Sequence, residues 1–320
     1  MNGSAHEPDF SIDEGDAARS EPAPDYATIA HLKATVVEQT GLLGLASVKA
    51  GPPLVARHFL GFGTDAQRAA WSGKALSVAI SEPKVGAHPK LLTTRAEPAG
   101  QGYRITGQKA WVTNGPSADA IIVFAITAED QGRKRYSAFI VPRDTPGLTM
   151  TEMPGFHALR PSQHCLLTLD QCPVPDSAML GDPGSAYERM ALPFRDIEDA
   201  VGTFATLGAF RYAIGLFAGA TVAPAQDLGA IVALTAVFEA GAASVVAALD
   251  ARRLRTGDAT LVGLRVLAID IVSRLRAMAP GFSNATALLA AMSDLDAILS
   301  IAHGPRLARQ ARLGDSVLRR

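Results

Sequence analysis

The 320-residue chain sets 30 lysines and arginines against 31 aspartates and glutamates, for a net charge of −1. That balance leaves no electrostatic footprint for nucleic acid or for an acidic membrane surface. A hydrophobic fraction of 48% beside a charged fraction of 19% fits a soluble globular protein with a sizeable core, in one large domain or two to three small ones. Two cysteines, Cys165 and Cys172, make no disulfide framework, so a reducing cytoplasm is the expected setting. Seven scattered histidines give no cluster with zinc-ligand spacing, and no metal is expected.

Residues 1–25 are acidic, rich in Pro and Ala, and lack the apolar stretch of a signal peptide; they are expected to form a disordered tail. Residues 26–74 carry apolar side chains at spacings of three and four, which predicts an N-terminal helical region. Residues 75–184 change to alternating Val, Ile, Thr and aromatic positions broken by Gly and Pro, the pattern of strands. Within them "RITGQKAWV" reads as two strands joined at a Gly107-Gln108 turn.

From residue 185 to 320 the chain is Ala- and Leu-rich and long-helical, with breaks expected near Pro224, Gly257 and Pro280–Gly281. One stretch there, 228–249, is long enough to cross a bilayer and carries a single charge, Glu239. It lacks aromatic anchors at its ends, and a helix apolar all round also suits the middle of a soluble bundle, the reading preferred here. Helices, strands and helices again predict an α+β fold with segregated layers. Neither GxGxxG nor GxxxxGK[ST] occurs, which argues against a doubly wound nucleotide-binding sheet.

Five segments in order, "FGTDAQRAAW", "AISEPKVGA", "YRITGQKAWVTNGPSADAIIVFA", "SAFIVPRDTPGL" and "CPVPDSAMLG", span residues 61–181 and together resemble the acyl-CoA dehydrogenase signature. The resemblance implies a short N-terminal helical region, a middle β-barrel domain and a C-terminal four-helix bundle. It implies FAD as cofactor, an acyl-CoA thioester from fatty acid or lipid metabolism as substrate, and an electron-transfer flavoprotein as possible electron acceptor. By the same resemblance, Ile80 and Ser81 at the strand exit, Gly86 in the following loop, and Trp111, Val112 and Thr113 meet the flavin. Ser81 bonds its edge, Trp111 packs along the isoalloxazine as a buried platform, and Thr113 bonds near the redox nitrogen. The plainer alternatives are a turn-forming Ser81 and a core Trp111.

Departures from the pattern begin at the loop end, where Gly86-Ala87-His88 stands in place of Gly-Ser-Asp. His88 supplies positive charge when protonated, or simply caps the loop before Pro89. "RDIEDAVGTFATLGAFRYAI" resembles the first bundle helix of the family. That register sets Asp196 on a substrate-contacting Asp, Asp199 on the usual Arg, and Glu198 where a minority of the family carries its catalytic base. The alternative for Glu198 is an exposed helix charge in a surface network with Arg195. "SDLDAILSIAHGPRLARQ" resembles the segment that holds the majority base, with Asp294 and Gly304 in register and His303 at the base position. His303 is then the second candidate base, or a helix C-terminal residue favoured by the dipole. The family's Arg-x-x-Phe-Gly and Gln-x-x-Gly-Gly-x-Gly segments have no counterpart here. Two readings besides a homo-oligomeric enzyme therefore stay open: a non-catalytic or half-site subunit of a mixed assembly with a second dehydrogenase-like chain, and a cofactor-free scaffold.

Overall fold

The computed structural model describes residues 24–218, 224–255, 257–280 and 282–319. The tail expected for residues 1–25 lies outside the described residues except for Pro24 and Asp25, and so does Gly281 of the expected break. The Asp25 carboxylate accepts from the Thr28 amide and so caps α1 (Tyr26–Thr40). The amides of Tyr26 and Ala27, the first two of the helix, donate to Asp250. Helices α2 (Leu43–Phe59) and α3 (Asp65–Trp71) complete the N-terminal region, with Thr64 and Gln67 forming a reciprocal capping box at α3.

Eight strands follow: β1 (Leu76–Ala79), β2 (Arg95–Pro98), β3 (Gly102–Thr113), β4 (Ala120–Asp130), β5 (Arg133–Pro142), β6 (Leu148–Glu152), β7 (His164–Pro175) and β8 (Met179–Leu180). They form one mixed sheet in the order β6-β7-β3-β2-β4-β5-β8, with β1 pairing parallel to β4. The strands at the two ends of that path do not pair, so the sheet is open rather than the closed barrel expected from the family resemblance. Strand β4 is buried on both faces: Ile122 and Phe124 join a core shared with the helices, while Ile121 and Val123 join a second core between the halves of the sheet. That is why its sequence is a continuous apolar run rather than an alternation.

The hairpin expected at Gly107-Gln108 is not there. Residues 102–113 make one strand, and Gly107 sits at a register shift with φ 151°. A Cβ at that position would lie 2.5 Å from the Thr94 side chain, so the glycine serves a close strand approach rather than a turn.

The C-terminal helices are α4 (Leu192–Leu216), α5 (Ala225–Asp250), α6 (Ala259–Ala277), α7 (Ala285–Ser300) and α8 (His303–Leu318). Helix α1 lies against α4 so closely that a Cβ on Gly208 would stand 2.4 Å from the Ala34 carbonyl oxygen. In α5 a stripe through Ile231, Thr235, Phe238, Ala242, Val245 and Val246 is buried, whereas Val232 and Val237 on other faces are exposed. The helix is long and apolar enough to span a membrane by length and composition. Two of its three charges are nonetheless engaged within the fold, Glu239 pairing with Arg211 of α4 at 2.7 Å and Asp250 holding the start of α1.

Candidate active site

Where β1 ends, Ile80 and Ser81 lead directly into Glu82, which is buried. Its carboxylate accepts from the Thr93 amide at 2.7 Å, the Thr94 amide at 2.9 Å, the Thr93 hydroxyl and the ammonium of the fully buried Lys109 at 3.0 Å. Burial by itself raises this carboxyl, but Lys109 and the donors from Thr94 and Thr93 outweigh it and hold the group at about 2. Burial lowers Lys109 to about 8 while Glu82 opposes it, so the pair stays ionised at neutral pH. Lys109 also donates to the Ile80 carbonyl at 3.1 Å, and the Ala110 amide to that of Ser81 at 2.9 Å. The strand exit is thereby clamped to β3, one residue before Trp111.

Trp111 sits at a bulge of β3 with φ 62°, a conformation rarely tolerated by a bulky side chain. The bulge swings its ring outward: Trp111 is 48% exposed, edge-on to Phe156 with ring centroids 5.3 Å apart. It is therefore neither the buried platform nor the core residue expected from sequence, because strand alternation breaks at that residue. Val112, its neighbour, is fully buried in the sheet core and presents no side chain to the site.

A cavity of about 260 Å³ lies between this strand wall and the helices. Ile80, Ser81, Trp111 and Thr113 line it from the sheet, and Lys33, Phe194 and Glu198 line it from α1 and α4. Four of the residues expected at the flavin thus meet the proposed base, Glu198, in one space. Gly86 does not line it. Gly86 adopts the left-handed conformation, φ 59°, that closes the loop after Glu82, where backbone bonds link residues 82 and 86 in both directions. The next residues are held by their carbonyls, Ala87 accepting from the Tyr187 hydroxyl at 2.6 Å and Pro89 from that of Tyr136. His88 is exposed, and its carbonyl receives the amides of Leu91 and Leu92.

By surface area Glu198 is exposed, yet it lines two cavities and is surrounded by protein groups on several elements. Enclosure within protein therefore governs its carboxyl. Burial pushes the group up to about 7, with Lys33 opposing, Asp199 adding and Arg306 opposing. Burial likewise pushes the Lys33 ammonium down, and Glu198 counters it.

Asp196 is not on the cavity. It is buried and paired with Arg309 of α8 at 2.7 Å, while Asp199 pairs with Arg306 at 2.5 Å and Arg309 at 3.0 Å. Residues three apart share a helix face, so Asp196 and Asp199 both turn to α8 and Glu198 turns elsewhere. The proposed substrate contact at Asp196 is consequently corrected to a buried ion pair. His303 is exposed and lines neither cavity. It opens α8 rather than ending a helix, because Gly304 and Pro305 fall in the first turn, where a missing amide hydrogen costs nothing. Asp294 accepts from the Leu159 amide at 3.0 Å and so ties a loop beside the cavity to α7.

Sequence reasoning missed Glu82, Lys33 and Asn114. Asn114 also lines the cavity, donating to the Ser47 carbonyl and accepting from the Ser162 hydroxyl, both at 3.0 Å. For Glu82 the available signal was a carboxylate at the end of an apolar strand, which demands a buried partner. Lys33 had none, since one lysine on an amphipathic helix carries no signature. Among the described residues no group of three or more His, Cys, Asp or Glu is placed to hold a metal ion.

Residues 77–172 match the sequence profile of the acyl-CoA dehydrogenase middle domain. The short-chain specific acyl-CoA dehydrogenase of Homo sapiens mitochondria is 36% identical over 135 residues, 40% of this chain and 33% of that protein. The probable acyl-CoA dehydrogenase YngJ of Bacillus subtilis is 36% identical over 157 residues, 47% of this chain and 40% of that protein. These sequence matches thus cover well under half of each relative's length. In space the likeness extends further. An acyl-CoA dehydrogenase from Geobacillus kaustophilus superposes with a TM-score of 0.74 at 19% identity, covering 91% of this chain and 83% of the other. Butyryl-CoA dehydrogenase from Megasphaera elsdenii gives 0.72 at 19% identity, covering 92% and 80%. Residues 77–172 thus match the acyl-CoA dehydrogenase middle domain in sequence, and the chain as a whole shares the fold of these solved acyl-CoA dehydrogenases.

Proposed function

We propose that the chain is an FAD-dependent acyl-CoA dehydrogenase that introduces an α,β double bond into an acyl-CoA thioester, with Glu198 as the base. The observation that carries this reading is the single cavity in which Ser81, Trp111 and Thr113 face Glu198. The strand wall fits a flavin ring: an aromatic side chain held outward by an unusual backbone angle, two hydroxyls, and a strand exit immobilised by the Glu82–Lys109 pair. When bound, FAD supplies the two-electron acceptor for the hydrogen leaving the β carbon.

The chain's own residues do the rest. Glu198 takes the α proton, and a carboxyl raised to about 7 suits a proton acceptor working near neutral pH. Lys33 keeps part of the population ionised by opposing the effect of burial. Ser81 and Thr113 orient the ring edge, and Phe194, with Ile298 and Ile301, limits the water that reaches the base.

An absorption spectrum of the purified protein, prepared with FAD and desalted, tests the cofactor. A flavin band near one per chain is expected. Glu198→Gln is expected to keep that band while lowering turnover about 10²–10⁴-fold; near wild-type turnover in the variant removes Glu198 from the role. One observation favours the mixed-assembly reading as second. The outer faces of α5 and α6 leave Val232, Val237, Val266 and Ile269 exposed, an apolar surface suited to partner helices. A colourless but folded protein that gains flavin only with a second dehydrogenase-like chain supports that alternative.

A further inference from the structure

Glu198 lines a second cavity besides the one just described. It measures about 120 Å³ and lies on the bundle side, between α4, α5, α6 and α8. Glu198 and Ile298 are common to both, so the two spaces adjoin at the proposed base. Much of the inner lining is apolar, from Phe238, Leu261, Leu264 and Ala268. At roughly 10–15 Å³ for each water-sized group, the space takes about eight such groups, a short chain and its terminus.

Three arginines also line it: Arg265, Arg306 and Arg309. Arg306 and Arg309 are answered by Asp199 and Asp196, as described above. Asp258, the remaining carboxylate of the lining, is turned to the start of α6, where it accepts from the Thr260 and Leu261 amides at 2.9 and 3.2 Å. Among the described residues Arg265 has no carboxylate at ion-pair distance. Its Nη2 donates to the Leu299 carbonyl, and its Nη1 is buried with no acceptor among the described residues. Burial, and then Arg306, push this guanidinium down to about 10 against the pull of Asp199, so it remains charged at neutral pH. A buried charged donor without an acceptor is costly, and in a cavity that opens beside a catalytic carboxylate the natural complement is an anion brought by the ligand.

We propose that the preferred acyl group ends in a carboxylate, and that the chain runs past Glu198 into the second cavity, where Arg265 receives that carboxylate. The assignment rests on the acyl-CoA reading given above. A terminal carboxylate accepts from Nη1 and supplies the counter-charge that Arg265, unlike Arg306 and Arg309, lacks among the described residues. The apolar walls take the methylenes between the two ends.

Calorimetric titration of the full chain, prepared with FAD, compares two thioesters of matched shape: glutaryl-CoA and 5-methylhexanoyl-CoA, in which an isopropyl group replaces the carboxylate. The wild type is expected to bind glutaryl-CoA at least tenfold more tightly. Arg265→Gln is expected to erase the preference while leaving 5-methylhexanoyl-CoA binding within about twofold. Arg265→Lys, which keeps the charge if the Gln variant fails to fold, is expected to retain part of it. Equal binding of the two thioesters by the wild type, or a preference that survives in Arg265→Gln, overturns the assignment and leaves the acyl-CoA reading standing. Binding of neither thioester overturns that reading and this assignment together. Free glutarate at the same concentrations is expected to bind weakly and without displacing 5-methylhexanoyl-CoA; tight binding of it would mark a site for a separate anion and overturn the acyl-tail assignment.

Discussion

The strand wall of the cavity holds its charges by pairing close along the chain, whereas the helical wall holds them across the whole C-terminal half. On the strand side Glu82 is answered by Thr93, Thr94 and Lys109, 11, 12 and 27 residues away. On the helical side Asp199 is answered by Arg306 and Arg309, 107 and 110 residues away, and Glu198 feels Lys33 on α1. In the first wall the carboxylate of Glu82 is held by several close hydrogen bonds and one ion pair, the kind of network that fixes a surface in place. The second sets a raised carboxyl beside a depressed ammonium, groups whose ionisation depends on how the helices pack. In the proposed function, ring placement and acid-base tuning would thus fall to two kinds of structure.

The comparison is broken most severely at the strand wall. Lys109→Met removes one partner of a buried pair and leaves Glu82 short of its counter-charge. Stability measured by urea unfolding is expected to fall by about 3–5 kcal/mol; a loss under about 1 kcal/mol would show that the two threonines suffice. Acid probes the same pair without mutation. Because Glu82 is held at about 2 against an ordinary 4.5, its contribution is complete above about 4.5 and drains away as pH falls toward 2. Unfolding midpoints followed across that window are expected to drop in the wild type and to drop less in Glu82→Gln, which starts from a lower value.

Trp111→Gly sharpens the contrast between holding the fold and holding a ligand. A buried tryptophan lost from a core costs roughly 3–5 kcal/mol. Here the ring is half exposed and the backbone angle favours glycine, so the thermal midpoint is expected to change by the equivalent of about 1 kcal/mol or less. Flavin retention is expected to be lost in the same variant. A large destabilisation with flavin kept would return Trp111 to the core.

The smallest effect belongs to the helical wall. Lys33→Met removes the charge that holds Glu198 down, so the carboxyl rises further and a higher pH is needed to ionise it. The rising limb of the pH profile of kcat/KM, expected near 7 in the wild type, then moves to more alkaline values. An unmoved limb would separate Lys33 from the base.

Much of this fold was legible because its signals are local. The change from helical to alternating patterning at residue 75, the long apolar run of β4 and the strand-exit motif at Ile80–Ser81 each rest on neighbours in the chain. The expected Gly107-Gln108 turn failed because a glycine that permits a turn also permits the close approach of Thr94, and only pairing partners distinguish the two. His303 was misplaced for a similar reason: Gly-Pro ends many helices, yet it also fits the first turn of one, where amide hydrogens have no helical acceptor.

The sequence by itself determined the order of the layers, the strand segments that line the candidate cavity and the position of a candidate base on the first bundle helix, since periodicity and contiguous motifs survive without knowledge of contacts. Tertiary structure alone decided that the sheet stays open, that Trp111 swings outward at a bulge and that Asp196 is spent on Arg309 while Glu198 faces both cavities. It alone left one nitrogen of Arg265 without an acceptor among the described residues. Those outcomes depend on which distant groups meet in a medium that screens charge poorly, and burial with its partners is set by the packed chain as a whole.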